Sequence, residues 1–316
     1  MTSANQTIIN VPVITMDSII TPSWFTDITC PDDPEGSCHP DIVLALKDFY
    51  ETKAGADETA HKFADLLIKN HSSVSSQLDI NTARNILFSI LADSLVCWPE
   101  SKIEALFTLL QKIQTLPEPV LPDVKTEQQQ QQQQRSALDP PLSCIPKKPF
   151  WKDLPGFGNG WADLFQWGEW EQEIEKNPLD MSLRESLRKK YVRVAAVEAQ
   201  LCKRQIGGIP IDWGYECITN GLERSNAVLD FQVPMAAEWL MPLARRIYEG
   251  ALDGEKSWAL PRESLDLWHG GQRDTMTMER WKFWKSRFET YVGGVNAPER
   301  DLVARVVQIM NGPTFA

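Results

Sequence analysis

Five carboxylates on segments that read as helices stand out as groups able to do chemistry: Asp93, Glu198, Glu216, Glu223 and Glu238. Aimed into one cavity, such a set could hold a metal–diphosphate cluster or serve as acid and base. The motifs that would organise that chemistry are missing. "DDPEG" at 32–36 has the acids of a magnesium site but lies between prolines, not at a helix end. "NGLERSN" at 220–226 begins like the second metal motif of helical cyclases, then lacks the Asp and Ser that motif needs. There is no HExxH and no CxxC. Cys30, Cys38 and His39 cluster without the spacing of a common zinc site. "HGG" at 269–271 has no GxSxG elbow to serve as an oxyanion loop. "GFGNG" at 156–160 has no Lys-Ser/Thr after it and no strand before it, so it is no phosphate loop. Salt-bridged or surface positions are the plain expectation for the acids. No cofactor is expected and no catalytic residue is assigned.

Aromatic and cationic residues form the other set. "MTMERWKFWKSRFETYV" at 276–292 mixes tryptophan, phenylalanine and tyrosine with lysine and arginine. At about 100° per residue, Trp281, Trp284, Phe288, Tyr291 and Val292 share one face. That stripe is continuous and one-sided, so core packing is expected. Phe283 points away from it, and Arg280 and Arg287 flank it, placed either to stack on the aromatic rings or to meet an anionic ligand. Trp161 and Trp170 pose the same choice between an aromatic clamp and a loop pinned to the core. The candidate binding residues are therefore Trp161, Trp170, Arg280, Phe283, Trp284 and Arg287.

The elements that must position these groups are helical. "DIVLALKDFYETKA" places Ile42, Ala45, Leu46, Phe49 and Tyr50 on one face, and "DETAHKFADLLIKN" does the same with Ala60, Phe63, Ala64 and Leu67 behind an Asp57 cap. Helices over 81–97 and 100–115 are separated only by Trp98 and Pro99, which predicts an antiparallel pair. Ser182 and Glu185 read as a capping box for a helix to about 205. Asp212 reads as the cap of a helix to about 229. Pro234 opens the next, with Pro242 as a kink. Thr277 caps the aromatic helix, and Asn296 with Glu299 caps the last one. No strand alternation of useful length appears. The fold class expected is all-α, an irregular multi-helix bundle of antiparallel helical pairs.

The expected organisation is an irregular lead-in (1–39), an N-terminal helical part (40–116), a disordered linker (117–148) and a Trp-rich helical part (149–316) packed with 40–116 as one domain. The linker holds Pro117, Pro119, Pro122 and seven consecutive glutamines, Gln128–Gln134, a composition unable to offset the entropy of ordering. Net charge is −11 with 12 tryptophans among 316 residues. That acidity opposes nucleic acid and anionic membranes as partners. The first twenty residues lack the basic start of a secretory signal, and six cysteines in so long a chain make no disulfide framework. A reducing compartment, cytoplasm or nucleus, is expected.

"SLDLWHGGQRDTMTMERWKFWKSRFE" at 264–289 resembles the Leu-Trp…Glu-Arg-Trp-x-x-Trp-x-x-Arg-Phe signature of an uncharacterised family of filamentous fungi, named after the oxopyrrolidine biosynthesis cluster protein G. "RVAAVEAQL" and "AAEWLMPLARRIYEG" are similar to its two preceding helices, and "LFTLLQKIQTLPEP" to the end of its opening half. Members commonly show Gly-Pro-Leu-Trp where this chain has Leu265-Asp266-Leu267-Trp268. The resemblance implies an all-helical accessory protein of secondary-metabolite biosynthesis, in a polyketide–amino acid hybrid context. Its implied partner is a small hydrophobic metabolite or another pathway protein. A non-standard cyclase or small-molecule binder, and a nuclear regulator or scaffold, are the alternatives. The family has no established catalytic residues to carry over.

Overall fold

The computed structural model describes residues 24–25, 28, 40–71, 77–119, 149–165, 168–261, 265–293 and 300–312. The lead-in apart from Trp24, Phe25 and Ile28, the linker from 120 to 148, the Cys30/Cys38/His39 cluster and the Asn296–Glu299 box lie outside them. The described chain is all-α. The helices are α1 (Pro40–Tyr50), α2 (Ala56–His71), α3 (Gln77–Cys97), α4 (Glu100–Gln114), α5 (Phe157–Leu164), α6 (Glu169–Lys176), α7 (Met181–Lys203), α8 (Ile211–Leu222), α9 (Leu229–Asp253), α10 (Met278–Gly293) and α11 (Arg300–Asn311). Among the described residues the only β pairing is an isolated bridge between Lys256 and Thr275. No described helix is long and apolar enough to cross a membrane.

The apolar stripes read from the sequence are the buried faces. Ile42, Leu46 and Phe49 of α1 and Phe63 and Leu67 of α2 pack together, with α4 laid across α2. The short α3–α4 link turns the chain as expected, but α4 packs chiefly on α2 instead of on α3. Trp98 explains why: its buried ring fills the corner, edge-on to Tyr50 and stacked on Phe49. Helix α9 is the centre of the second half and touches α7, α8, α10 and α11, while α3 reaches across to α5 and α7. Buried side chains from both halves make one contiguous cluster.

Helix α8 sits unusually close to α9, and two glycines on one of its faces permit it. A Cβ at Gly214 would come within 2.5 Å of the Trp239 ring, and one at Gly221 within 2.7 Å of the Gln232 carbonyl oxygen. Described residues on either side of the 120–148 segment are bonded to one another. The Glu118 carboxylate accepts the backbone N–H groups of Phe150 (2.5 Å), Trp151 (3.1 Å) and Lys152 (3.1 Å). Successive N–H groups converging on one anion form a small backbone nest.

Several boundaries differ from the sequence reading. Asp180, not Ser182, caps α7 by accepting the Leu183 N–H at 2.9 Å; Glu185 is engaged by Arg188 instead. Asp57 lies within the first turn of α2, and Asp212 within that of α8, where it accepts from Ser257 Oγ. Helix α8 stops at Leu222, and α9 begins at Leu229, so Pro234 lies inside it rather than at its start. Burial of Phe231 and Val233 outweighs the one backbone bond that an interior proline removes. The Thr277 cap is present: its Oγ1 accepts the Arg280 N–H at 3.2 Å.

Candidate functional site

Helix α10 places Arg280 and Trp284 one turn apart, facing Glu223 at the end of α8. Arg280 Nε and Nη2 donate to the two Glu223 oxygens, each at 2.6 Å, and Trp284 Nε1 donates to Oε1 at 2.5 Å. The rest of the guanidinium donates to the carbonyls of Arg273 (2.8 Å), Thr275 (3.4 Å) and Leu260 (3.0 Å). The paired side chains are 1% and 0% exposed. One turn on, Arg287 donates to the Leu222 carbonyl at 3.1 Å. Phe283, on the outer face, packs against the Trp268 ring 5.4 Å away, and Arg280 stacks over that ring at 5.6 Å. Four of the sequence candidates thus come together, but around a carboxylate of the chain itself. With its donors satisfied and no water contact, this node locks α8, α10 and the 260–275 segment together.

Trp161 and Trp170 lie elsewhere. Trp161 is fully buried and donates to Glu198 Oε1 at 2.9 Å; Trp170 stacks on Phe231, ring centroids 4.4 Å apart and planes 7° from parallel. Burial pushes the Glu198 carboxyl up to about 7. The Trp161 and Trp239 indole N–H groups pull against that rise, and nearby Glu216 adds to it. Trp239 acts from outside hydrogen-bonding geometry, since its buried Nε1 has no bonded partner. Burial also raises the neighbouring Cys217 thiol, with Glu198 and Glu216 adding to it. Asp93, the fifth candidate acid, accepts from Trp24 Nε1 (3.1 Å) and the Cys97 thiol (3.4 Å). Glu198 and Glu216 thus lie near one another, while Asp93 and Glu223 sit in contacts of their own. Among the described residues no group of three or more His, Cys, Asp or Glu side chains is placed to hold a metal ion.

A cleft of about 280 Å³ opens to solvent where α4, α7 and α9 meet. Each wall is one helical stripe. Glu100, Ile103, Glu104 and Phe107 come from α4, and Arg193, Ala196, Val197, Gln200 and Arg204 from α7 and its cap. Glu238, Met241 and Pro242 come from α9. Arg193 pairs with Glu100 and donates to the carbonyls of Leu95 (3.4 Å) and Trp98 (3.1 Å); its buried Nε has no hydrogen-bond partner. Arg204 lies over the Phe107 ring at 4.4 Å and forms a two-pronged pair with Glu104, both bonds 2.8 Å. Of this set only Glu238 was a sequence candidate for chemistry, and Pro242 was read only as a kink. The detectable signal was the helical spacing of Arg193, Gln200 and Arg204, a polar row at the edge of the buried face of α7.

The geometry identifies no known activity, and no curated protein and no solved structure matches the chain. One family profile does, from the middle of α3 to Phe288 of α10, spanning all three cleft walls and both buried nodes. By that match over residues 88–288, the chain belongs to the family described as protein of unknown function (DUF3632).

Proposed function

We propose that this chain is a cytoplasmic helical accessory protein of secondary-metabolite biosynthesis, which binds a small pathway molecule in the α4–α7–α9 cleft. One observation carries the reading. The aromatic and arginine residues of α10 are committed to the buried Glu223 node, whereas the cleft presents half-buried arginines and apolar side chains to solvent. Half of the twelve residues lining the cleft are charged or polar and half apolar, which suits a ligand with a polar head and an apolar body. The biosynthetic setting rests on the likeness of the 264–289 signature to the family named after the oxopyrrolidine-cluster protein. The cyclase alternative draws its support from Glu198, a buried carboxyl raised to about 7, a value suited to proton transfer near neutral pH.

The test is the metabolite profile of a deletion strain, complemented with the parent chain or with Ala196→Phe, which fills the cleft. The expected result is an altered profile restored by the parent and not by Ala196→Phe, with that variant's helicity and melting confirmed to match the parent. An unaltered profile in the deletion strain sinks the pathway role. Full restoration by a folded Ala196→Phe sinks the cleft. Failure to restore by a Glu198→Gln variant that folds and fills no cleft would favour the cyclase.

A further inference from the structure

We infer that the cleft takes a small amphipathic carboxylic acid, whose carboxylate replaces that of Glu104 on Arg204 and whose apolar body lies along Ala196, Met241 and Pro242. This rests on the cleft reading above and names its ligand class.

The argument starts from an asymmetry within the ion pair. The Arg204 side chain is 24% exposed and Glu104 is 73% exposed. The arginine is fixed by its position at the end of α7 and by the Phe107 ring beneath it. Its Nε makes only a long contact, 3.5 Å, to Gln200 Oε1. Among the described residues both terminal nitrogens are held by Glu104 alone. Swinging Glu104 into water therefore uncovers a complete two-pronged face, the geometry that matches a carboxylate. Glu104 is rehydrated as it leaves, and an incoming carboxylate restores the same two-pronged pair, so the exchange costs little net. Arg193 is a poorer docking point because two main-chain carbonyls already hold one of its terminal nitrogens.

The charge of the ligand follows from the same geometry. A cationic ligand drawn to Glu104 or Glu100 would leave a half-buried arginine without its counter-charge, and Glu238, the third carboxylate of the cleft, is already engaged. An anion substitutes one carboxylate for another and leaves every charge paired. The α9 wall then supplies Met241 and Pro242 for an aliphatic chain, and Ala196 faces them from α7. At about 280 Å³ the space lies at the lower end of small-molecule sites, which selects a short chain.

The test uses the full-length protein with octanoate, 1-octanol and octylamine, followed by titration calorimetry and saturation-transfer NMR. Octanoate is expected to bind, and the alcohol and amine to bind more weakly. Arg204→Gln should weaken octanoate about tenfold or more, with Arg204→Lys intermediate because it keeps the charge and loses the fork. Glu104→Gln should strengthen octanoate roughly two- to fivefold by removing the internal competitor. A structural role for Glu104 would not produce that gain. Octanol or octylamine binding as tightly as octanoate, and blocked by Ala196→Phe, overturns the acid class while leaving the cleft. Octanoate binding that ignores both Arg204→Gln and Glu104→Gln overturns the location. No binding of any of the three below about 1 mM overturns the inference and the cleft reading together.

Discussion

Replacing Arg280 with methionine tests the buried node most directly. The variant keeps most of the side-chain volume and removes the charge. Glu223, 0% exposed, then retains only the Trp284 N–H as a hydrogen-bonded partner among those that now hold its carboxylate. Breaking a buried pair on one side costs about 3–5 kcal/mol, because the remaining charge cannot reach water. Three carbonyls, of Arg273, Thr275 and Leu260, also lose a donor. Against a total stability of roughly 5–15 kcal/mol the loss is large, and at about 2–4 °C per kcal/mol it should lower the melting temperature by roughly 6–20 °C. Thermal and urea unfolding, followed by tryptophan fluorescence and far-ultraviolet circular dichroism, measure it. The Arg280→Met/Glu223→Leu double variant should recover part of the loss, since an apolar replacement of the whole pair leaves no stranded charge. Full recovery is not expected, because the three carbonyls remain without their donor. A folded Arg280→Met protein within about 1 kcal/mol of the parent would refute the reasoning. So would a double variant as unstable as the sum of the two single changes.

Trp284→Ala should cost about 3–5 kcal/mol, the usual loss on emptying a buried aromatic site, and Phe283→Ala, half-buried against Trp268, about 1–2 kcal/mol; equal melting temperatures for the two variants would contradict this. Glu198→Gln addresses pH. A carboxyl raised in the folded state from 4.5 to about 7 contributes stability that is fully present below about 4.5 and lost as pH rises towards 7. The parent should therefore lose about 3 kcal/mol between pH 4.5 and 7.5 at this group, and the variant's stability profile should be flatter over that range; parallel profiles from urea unfolding would count against a buried neutral acid. Glu118→Ala should cost about 1–2 kcal/mol by releasing the N–H groups of Phe150, Trp151 and Lys152. By contrast, deleting Gln128–Gln134 should leave the melting temperature nearly unchanged, and a fall of several degrees would show that the glutamines contribute to the fold.

Much of the fold was legible because burial follows periodicity. The Trp281–Trp284–Phe288 stripe is buried as its spacing requires, and the Thr277 cap followed from its position before the stripe. The misreadings occurred where two local rules competed. Ser182 and Glu185 have capping-box spacing, but Asp180 is also a good cap and reaches the Leu183 N–H first, leaving Glu185 for Arg188. Pro234 has the look of a helix start, and only the burial of Phe231 and Val233, invisible without the packing, extends the helix behind it. The cleft was harder to see. Its ion pairs join residues 93 and 100 positions apart in the chain. No local spacing connects α4 to α7, so only the assembled bundle brings those charges together.

The chain uses one chemistry, a two-pronged arginine–glutamate pair, for two different ends, and burial decides between them. At Arg280 and Glu223 both partners are sealed from water, so neither can leave without stranding a charge, and the pair acts as a fastening. At Arg204 and Glu104 the arginine is held on Phe107 while the glutamate stands largely in solvent. That carboxylate can be hydrated as soon as it lets go, so the pair is exchangeable. From sequence Arg204 was not a candidate, whereas Arg280 was a candidate ligand contact because it flanks the aromatic stripe. The same aromatic residues exclude water and any ligand from it. A binding arginine needs one apolar face to fix it and one face that can be opened; Arg204 has the first in Phe107, and the proposed exchange of Glu104 supplies the second.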